Sequence, residues 1–154
     1  MQFRIYTPDD RAACMAILDS NLERYFSPHD VADFARFLDD PPGIYGVVVL
    51  QSRVVACGGI AFRDGTADFT WGMVHSDHHG QGIGRFLVGE RMKFLRDRTD
   101  ITCVQLNTSH ETVGFYAKMG FSVTRHTPNG YRAGLDRYDM EMPWNELTAL
   151  RWLD

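Results

Sequence analysis

Hydrophobic spacing along the chain changes period several times, and each change marks an element. Gln2 to Tyr6 alternates polar and apolar, the two-residue period of a strand. From Thr7 the spacing lengthens to that of a helix, with Ala13, Ile17 and Leu18 on one face and Cys14 beside them. Thr7-Pro8-Asp9-Asp10 supplies the start: a hydroxyl cap, proline in the first turn, carboxylates at the positive end of the dipole. Ser27-Pro28-His29-Asp30 repeats that grammar and opens a second helix with Val31, Phe34, Ala35 and Leu38 on one side. Asp39-Asp40-Pro41-Pro42-Gly43 ends it.

From Ile44 the period shortens again. Ile44 to Leu50, Val54 to Phe62 and Ala67 to Val74 read as three strands joined by Gln51-Ser52-Arg53 and Arg63-Asp64-Gly65-Thr66, an antiparallel meander. Gly58-Gly59 and Gly72 lie inside strands and predict a bulge or a close backbone approach. Helical spacing then runs from Gly82 to Arg96, with Ile83, Leu87, Val88, Met92, Phe94 and Leu95 covering a broad half of the helix. Ile101 to Leu106 predicts a strand, Asn107-Thr108-Ser109 a loop, and Glu111 to Met119 a short helix closed by Gly120. Phe121 to Arg125 and Leu135 to Met142 follow as strands, separated by a Pro128-Asn129-Gly130 turn, and the tail from Trp144 reads as a terminal helical turn. The order predicts one mixed α/β domain over residues 1–154, without repeat or linker.

Composition narrows the class of partner. Hydrophobic residues at 44% and charged residues at 23% suit a chain that buries a core. A net charge of -4 without a basic stripe argues against nucleic acid and anionic membrane. No apolar run spans a bilayer and the first residues lack a signal-peptide core, so a cytoplasmic protein is expected. Cys14, Cys57 and Cys103 are odd in number, far apart and set in apolar contexts, as buried thiols of a reducing compartment are.

The chemistry concentrates between Trp71 and Val88. A strand passes through a His/Asp/Gly loop into a helix, and Gly80, Gly82 and Gly84 remove side chains where backbone amides could approach a ligand. The new helix offers unpaired amides and the positive end of its dipole, a seat for phosphate. A dinucleotide site would need the loop after an early parallel strand, and a P-loop would need Gly-Lys-Ser/Thr; neither is present. His75, Asp77, His78 and His79 hold metal-ligand chemistry, but neighbouring residues on one loop rarely converge on an ion, so no metal is expected.

Two motifs resemble the GNAT superfamily of N-acetyltransferases. His79-Gly80-Gln81-Gly82-Ile83-Gly84 is similar to the family's acyl-CoA pyrophosphate loop, with His79 where Arg or Gln is usual and Ser76 where proline often follows the strand. Gly114-Phe115-Tyr116-Ala117-Lys118-Met119-Gly120-Phe121, after Asn107, resembles the FYxKxGF signature at the spacing of about thirty residues that the family keeps. The resemblance implies a GNAT-like α/β (α+β mixed) fold: a mostly antiparallel sheet of about seven strands with a parallel, splayed pair in the middle and about four helices.

It also implies an activity, the transfer of an acyl group, in the first place from acetyl-CoA, to a primary amine in a ternary complex. Amides near Met73 and Val74 would hold the pantetheine arm, and the loop with Ile83 and Arg85 the pyrophosphate. Tyr116 would protonate the departing sulfur, and Asn107 would contact pantetheine or a water. For the base, Asp68 lies near where the family often places a glutamate, His75 ends the strand with an imidazole suited to relaying protons, and a water chain serves as well. Asp68 reads equally as a surface residue beside the Asp64-Gly65 turn. The acceptor, a small-molecule or peptide amine, would lie between the first two helices and the last hairpin. Tyr25, Phe26, Phe34 and Phe37 could line that pocket or form plain core, and Glu23, Asp136 or Asp139 could meet an ammonium group, although each reads more simply as a solvated surface residue. A homodimer is compatible with this reading, and a non-catalytic acyl-CoA-binding module is its alternative.

Overall fold

The computed structural model describes residues 1–153. Strand β1 (Gln2–Ile5) leads through a single turn of 3-10 helix into α1 (Arg11–Tyr25) and α2 (Pro28–Asp39). The meander β2 (Ile44–Leu50), β3 (Arg53–Arg63) and β4 (Thr66–Val74) follows, then α3 (Ile83–Met92). The chain ends with β5 (Cys103–Ser109), α4 (Val113–Lys118), β6 (Ser122–Arg132), β7 (Leu135–Pro143) and α5 (Glu146–Leu153). The seven strands form one sheet in the order β1-β2-β3-β4-β5-β7-β6. All neighbours are antiparallel except β4 and β5, the parallel pair at the centre. None of the helices among the described residues is long and apolar enough to cross a membrane.

The helix starts obey their local chemistry. Asp10 accepts the Thr7 amide at 2.9 Å and Asp30 the Ser27 amide at 2.7 Å, so each carboxylate closes a capping box. Arg4 reaches across from β1 to bond both oxygens of Asp10 at 2.7 Å, which holds that carboxyl below its ordinary pKa. Apolar faces then sort to the two sides of the sheet. Cys14, Ile17, Leu18, Phe34 and Leu38 from α1 and α2 pack with Tyr45, Val47 and Cys57 on one side. Ile83, Leu87, Val88 and Met92 of α3 cover the other.

Three boundaries differ from the sequence expectation. Asn107-Thr108-Ser109 continues β5 instead of forming a loop, because Asp139, Tyr138 and Arg137 of β7 pair with it. Non-local ladder bonds outweigh the turn preference of Asn and Ser here. Pro128-Asn129-Gly130 does not reverse the chain. It forms an irregularity within β6, while the hairpin closes at Ala133-Gly134. Asn129 remains left-handed at φ 55°, and its side chain accepts the Gly134 amide at 2.8 Å. The terminal turn is a full helix, α5, whose Trp152 packs against the α3 side of the core.

The bulge predicted from the meander's glycines falls on β4. Between the pairs Cys57↔Met73 and Gly59↔Thr70, β4 carries one residue more than β3, and Trp71 takes φ 40°. Tyr45 fixes it by donating its hydroxyl to the Trp71 carbonyl at 2.9 Å.

Candidate active site

β4 and β5 pair only at Thr66↔Cys103, Ala67↔Val104 and Asp68↔Gln105. From Phe69 onward β4 has no strand partner on that edge among the described residues, and the strands enclose a cleft of about 640 Å³. Its residues come from every part of the sequence argument: Trp71 to Val74, the glycine loop, Asn107 to Ser109, and Tyr116.

The loop end presents open backbone amides. Gly80 and Gly82 adopt φ 75° and 80°, and a Cβ on either would meet no atom within 4 Å. No neighbour requires these glycines, so backbone conformation and an open approach to the amides account for them. Gly82 caps α3, and its carbonyl takes the Phe86 amide at 3.1 Å. The amides of Ile83, Gly84 and Arg85 precede that first bond and have no acceptor within the helix. Gln81 belongs to the same loop, between the two left-handed glycines. Arg85 lies in the first turn with its guanidinium over the Trp152 ring at 5.5 Å.

His79 turns away from those amides. Its Nε2 donates to the Val74 carbonyl at 2.8 Å, and its ring meets Tyr25 edge-on at 5.7 Å. Asn21 donates to the same carbonyl at 2.9 Å. The histidine thus ties the loop to the end of β4. His75 caps the following turn through Nδ1, which accepts the Asp77 amide at 3.2 Å, and is absent from the cleft wall; His78 lines the cleft. The three imidazoles therefore have different tasks.

The strand end offers a donor. The His75 amide bonds to Val55 at 2.8 Å, so by the alternation of an antiparallel ladder Val74 points its N–H and C=O towards the open edge. Its carbonyl is taken by Asn21 and His79, and its N–H faces the cleft. Met73 is buried beside it against α1 and α2.

Tyr116 reaches the middle of the cleft from α4, with its ring edge-on to Phe115 and Phe121 at 5.0 and 5.8 Å. Asn107, exposed on β5, accepts the Tyr131 hydroxyl at 2.5 Å. Burial pushes the Tyr131 phenol above its ordinary pKa, so it remains a donor. Tyr25, Phe26 and Trp71 form the aromatic wall towards α1 and α2, with Phe26 stacked on Trp71 at 6.1 Å. Phe34 and Phe37 lie behind that wall as core.

Asp68 stands apart. It belongs to the last paired position of β4 and β5, outside the cleft wall, and meets Arg63 at 3.3 Å. The carboxylates that do line the cleft are Asp30, the capping residue of α2, and Glu111, paired with Arg24 at 3.1 Å. Asp136 and Asp139 are engaged by His126 and Arg137. Sequence reasoning does not mark Glu111, Tyr131 or Arg91, all of which line the cleft. For Arg91 the signal was spacing: it follows Leu87 by four residues and so falls on the inward stripe of α3.

A family model described as "Acetyltransferase (GNAT) family" matches residues 12–121. The fold is shared with the ribosomal-protein-S18-alanine N-acetyltransferase of Escherichia coli, at TM-score 0.77 and 18% identity over 94% of this chain and 96% of that one. An aminoglycoside 6'-N-acetyltransferase complexed with coenzyme A superposes at TM-score 0.74 and 16% identity over 93% and 97% of the two chains. In sequence, N-acetyltransferase family 8 member 2 of Rattus norvegicus is 40% identical over 55 residues, 34% of this chain and 24% of the rat protein.

Proposed function

Because the chain belongs to the acetyltransferase (GNAT) family, we propose that it transfers the acyl group of an acyl-CoA, acetyl-CoA included, directly to a primary amine. One observation carries the proposal: a single cleft runs from the open amides of the glycine loop, past Val74 and Tyr116, to an aromatic wall on the other side of the sheet. Helix amides and dipole hold the pyrophosphate at Gly82 to Arg85. The Val74 N–H polarises the thioester carbonyl, and Tyr116 gives its proton to the departing sulfur. His79 acts on the cofactor through Val74 and the loop, not as a phosphate clamp. Asn107 holds Tyr131, and the pair borders the acceptor.

For the amine's proton, the position of Asp68 beside Arg63 and of His75 in its turn favours a route through water along the polar wall of Asn107, Ser109 and Glu111. The pH–rate profiles of Asp68→Asn and His75→Ala should therefore keep the acidic limb of the parent. A limb lost in either variant makes that residue the base.

Solved relatives named for protein-alanine and aminoglycoside acceptors put both peptide and small amines in the running. Thiol release from acetyl-CoA across a panel of both kinds tests the function. Amine-dependent release is expected; binding without release from any amine would make the protein an acyl-CoA-binding module.

A further inference from the structure

Arg91 heads the fully buried side chains of the protein by size, at 2% exposure. Its Nη1 donates to the Gly59 carbonyl at 3.4 Å, a long bond and its only one among the described residues. Nε is buried with no acceptor among the described residues. Nor does any described carboxylate compensate the charge: the titratable groups that bear on it are Tyr116, Tyr45 and Cys57. The Phe69 ring supports the guanidinium face at 3.8 Å, and the bare backbone of Gly72 makes room, since a Cβ there would stand 3.0 Å from Nη1. A buried cation without an anion is costly, and an apolar residue on this stripe would pack without that cost.

The unused donors identify the missing anion. Nη1 points at Gly59 and Nε is enclosed, which leaves Nη2, among the described residues, as the donor open to an anion in the cleft. Arg91 lines the cleft with Phe69, Leu87, Leu106 and Tyr116, on the α3 side of the sheet. The aromatic acceptor wall of Phe26 and Trp71 belongs to the opposite side. The anion therefore arrives with the acyl limb of the donor.

We propose that Arg91 makes this end of the cleft a carboxylate site, and that the preferred donor is the CoA thioester of a short dicarboxylic acid, such as malonyl- or succinyl-CoA. The inference rests on the acyl-transfer function proposed above and names its acyl class. The chemistry is unchanged. The amine nitrogen attacks the thioester carbon, the C–N bond forms and the C–S bond breaks. The amine loses one proton to water, the sulfur gains one, and the distal carboxylate passes intact into the amide product. Acetyl-CoA leaves Arg91 without an anion and is the slower donor.

The test compares kcat/KM for succinyl-CoA and acetyl-CoA, with one carboxylate-free amine, in the parent, Arg91→Met and Arg91→Lys. Succinyl-CoA should lead by at least tenfold in the parent, and the ratio should fall at least tenfold in both variants, because methionine removes the charge and lysine loses the planar guanidinium that stacks on Phe69. Thermal melts check that the variants fold. If they do not, the Kd values of the two donors on the parent decide, and succinyl-CoA should bind at least tenfold tighter. Preference for acetyl-CoA, equal Kd values, or a ratio insensitive to Arg91 overturns the inference. Loss confined to amines that carry a carboxylate also overturns it, by moving the anion to the acceptor. A protein that neither binds nor consumes any acyl-CoA defeats the acyl-transfer function itself, and this inference with it.

Discussion

Tyr116 packs its ring edge-on against Phe115 and Phe121 and carries one polar atom, its hydroxyl, on the Arg91 side of the cleft. Removing only that atom separates its chemistry from its packing. Tyr116→Phe should lower turnover by about 100-fold, the usual worth of a positioned acid, while the Kd for acetyl-CoA stays within a factor of a few. Unchanged turnover would remove the hydroxyl from the reaction. Asp10 offers a stability test at the same scale. Its carboxyl is 6% exposed and bound by both Arg4 and the Thr7 amide, so its pKa is depressed in the folded state. A depressed acid stabilises the fold above its unfolded pKa, about 3.9, and loses that contribution as pH falls through the folded value. Asp10→Asn should therefore cost about 1–3 kcal/mol at pH 7 in urea denaturation. The gap between parent and variant should narrow steadily below about pH 4; a gap of constant size would mean that charge has no part in it.

At the scale of elements, glycines with similar sequence contexts have opposite duties. A Cβ on Gly59 would lie 2.5 Å from the Ile44 carbonyl and 2.7 Å from the Thr70 hydroxyl, in the packed bulge of β3 and β4. Gly59→Ala should cost about 1–3 kcal/mol of stability. Gly82 has φ 80° and empty space around it, so Gly82→Ala should fold with a penalty of about 1–2 kcal/mol for the left-handed backbone. Its methyl would occupy the anion seat, however, and weaken acetyl-CoA binding at least tenfold by calorimetry. The two duties were unequally visible in the sequence. Periodicity and capping residues marked the helices and meander because those signals are local. The extension of β5 through Asn107 to Ser109 was hidden, since its cause is β7, some thirty residues away. The glycine loop was legible as a motif, whereas the place of its histidine was not, because His79 bonds to a carbonyl on the preceding strand.

Across the whole molecule, function follows from where one sheet fails to close. Three paired positions hold β4 to β5, and beyond them the two strands separate between helices on opposite faces. The α3 and α4 side brings the glycine loop, Tyr116 and Arg91; the α1 and α2 side brings Tyr25, Phe26 and Trp71. The burial of Arg91 was signalled only by its place four residues after Leu87 on the inward stripe of α3, against the ordinary solvation of a charged residue on a helix. Sequence order could not separate Asp68 from the cleft, because the place where the parallel pairing stops is a property of the assembled sheet. Such an arrangement suits two substrates held together in one cleft, with the acyl group passing between them and never onto the protein. Transfer of isotope-labelled acetyl from acetyl-CoA, followed by mass spectrometry on rapid mixing with a productive amine, tests that claim most directly. The account predicts label on the amine, one free CoA per labelled product, and negligible CoA release when the amine is omitted. Label accumulating on the protein, or remaining on bound CoA in the presence of every amine, would contradict it.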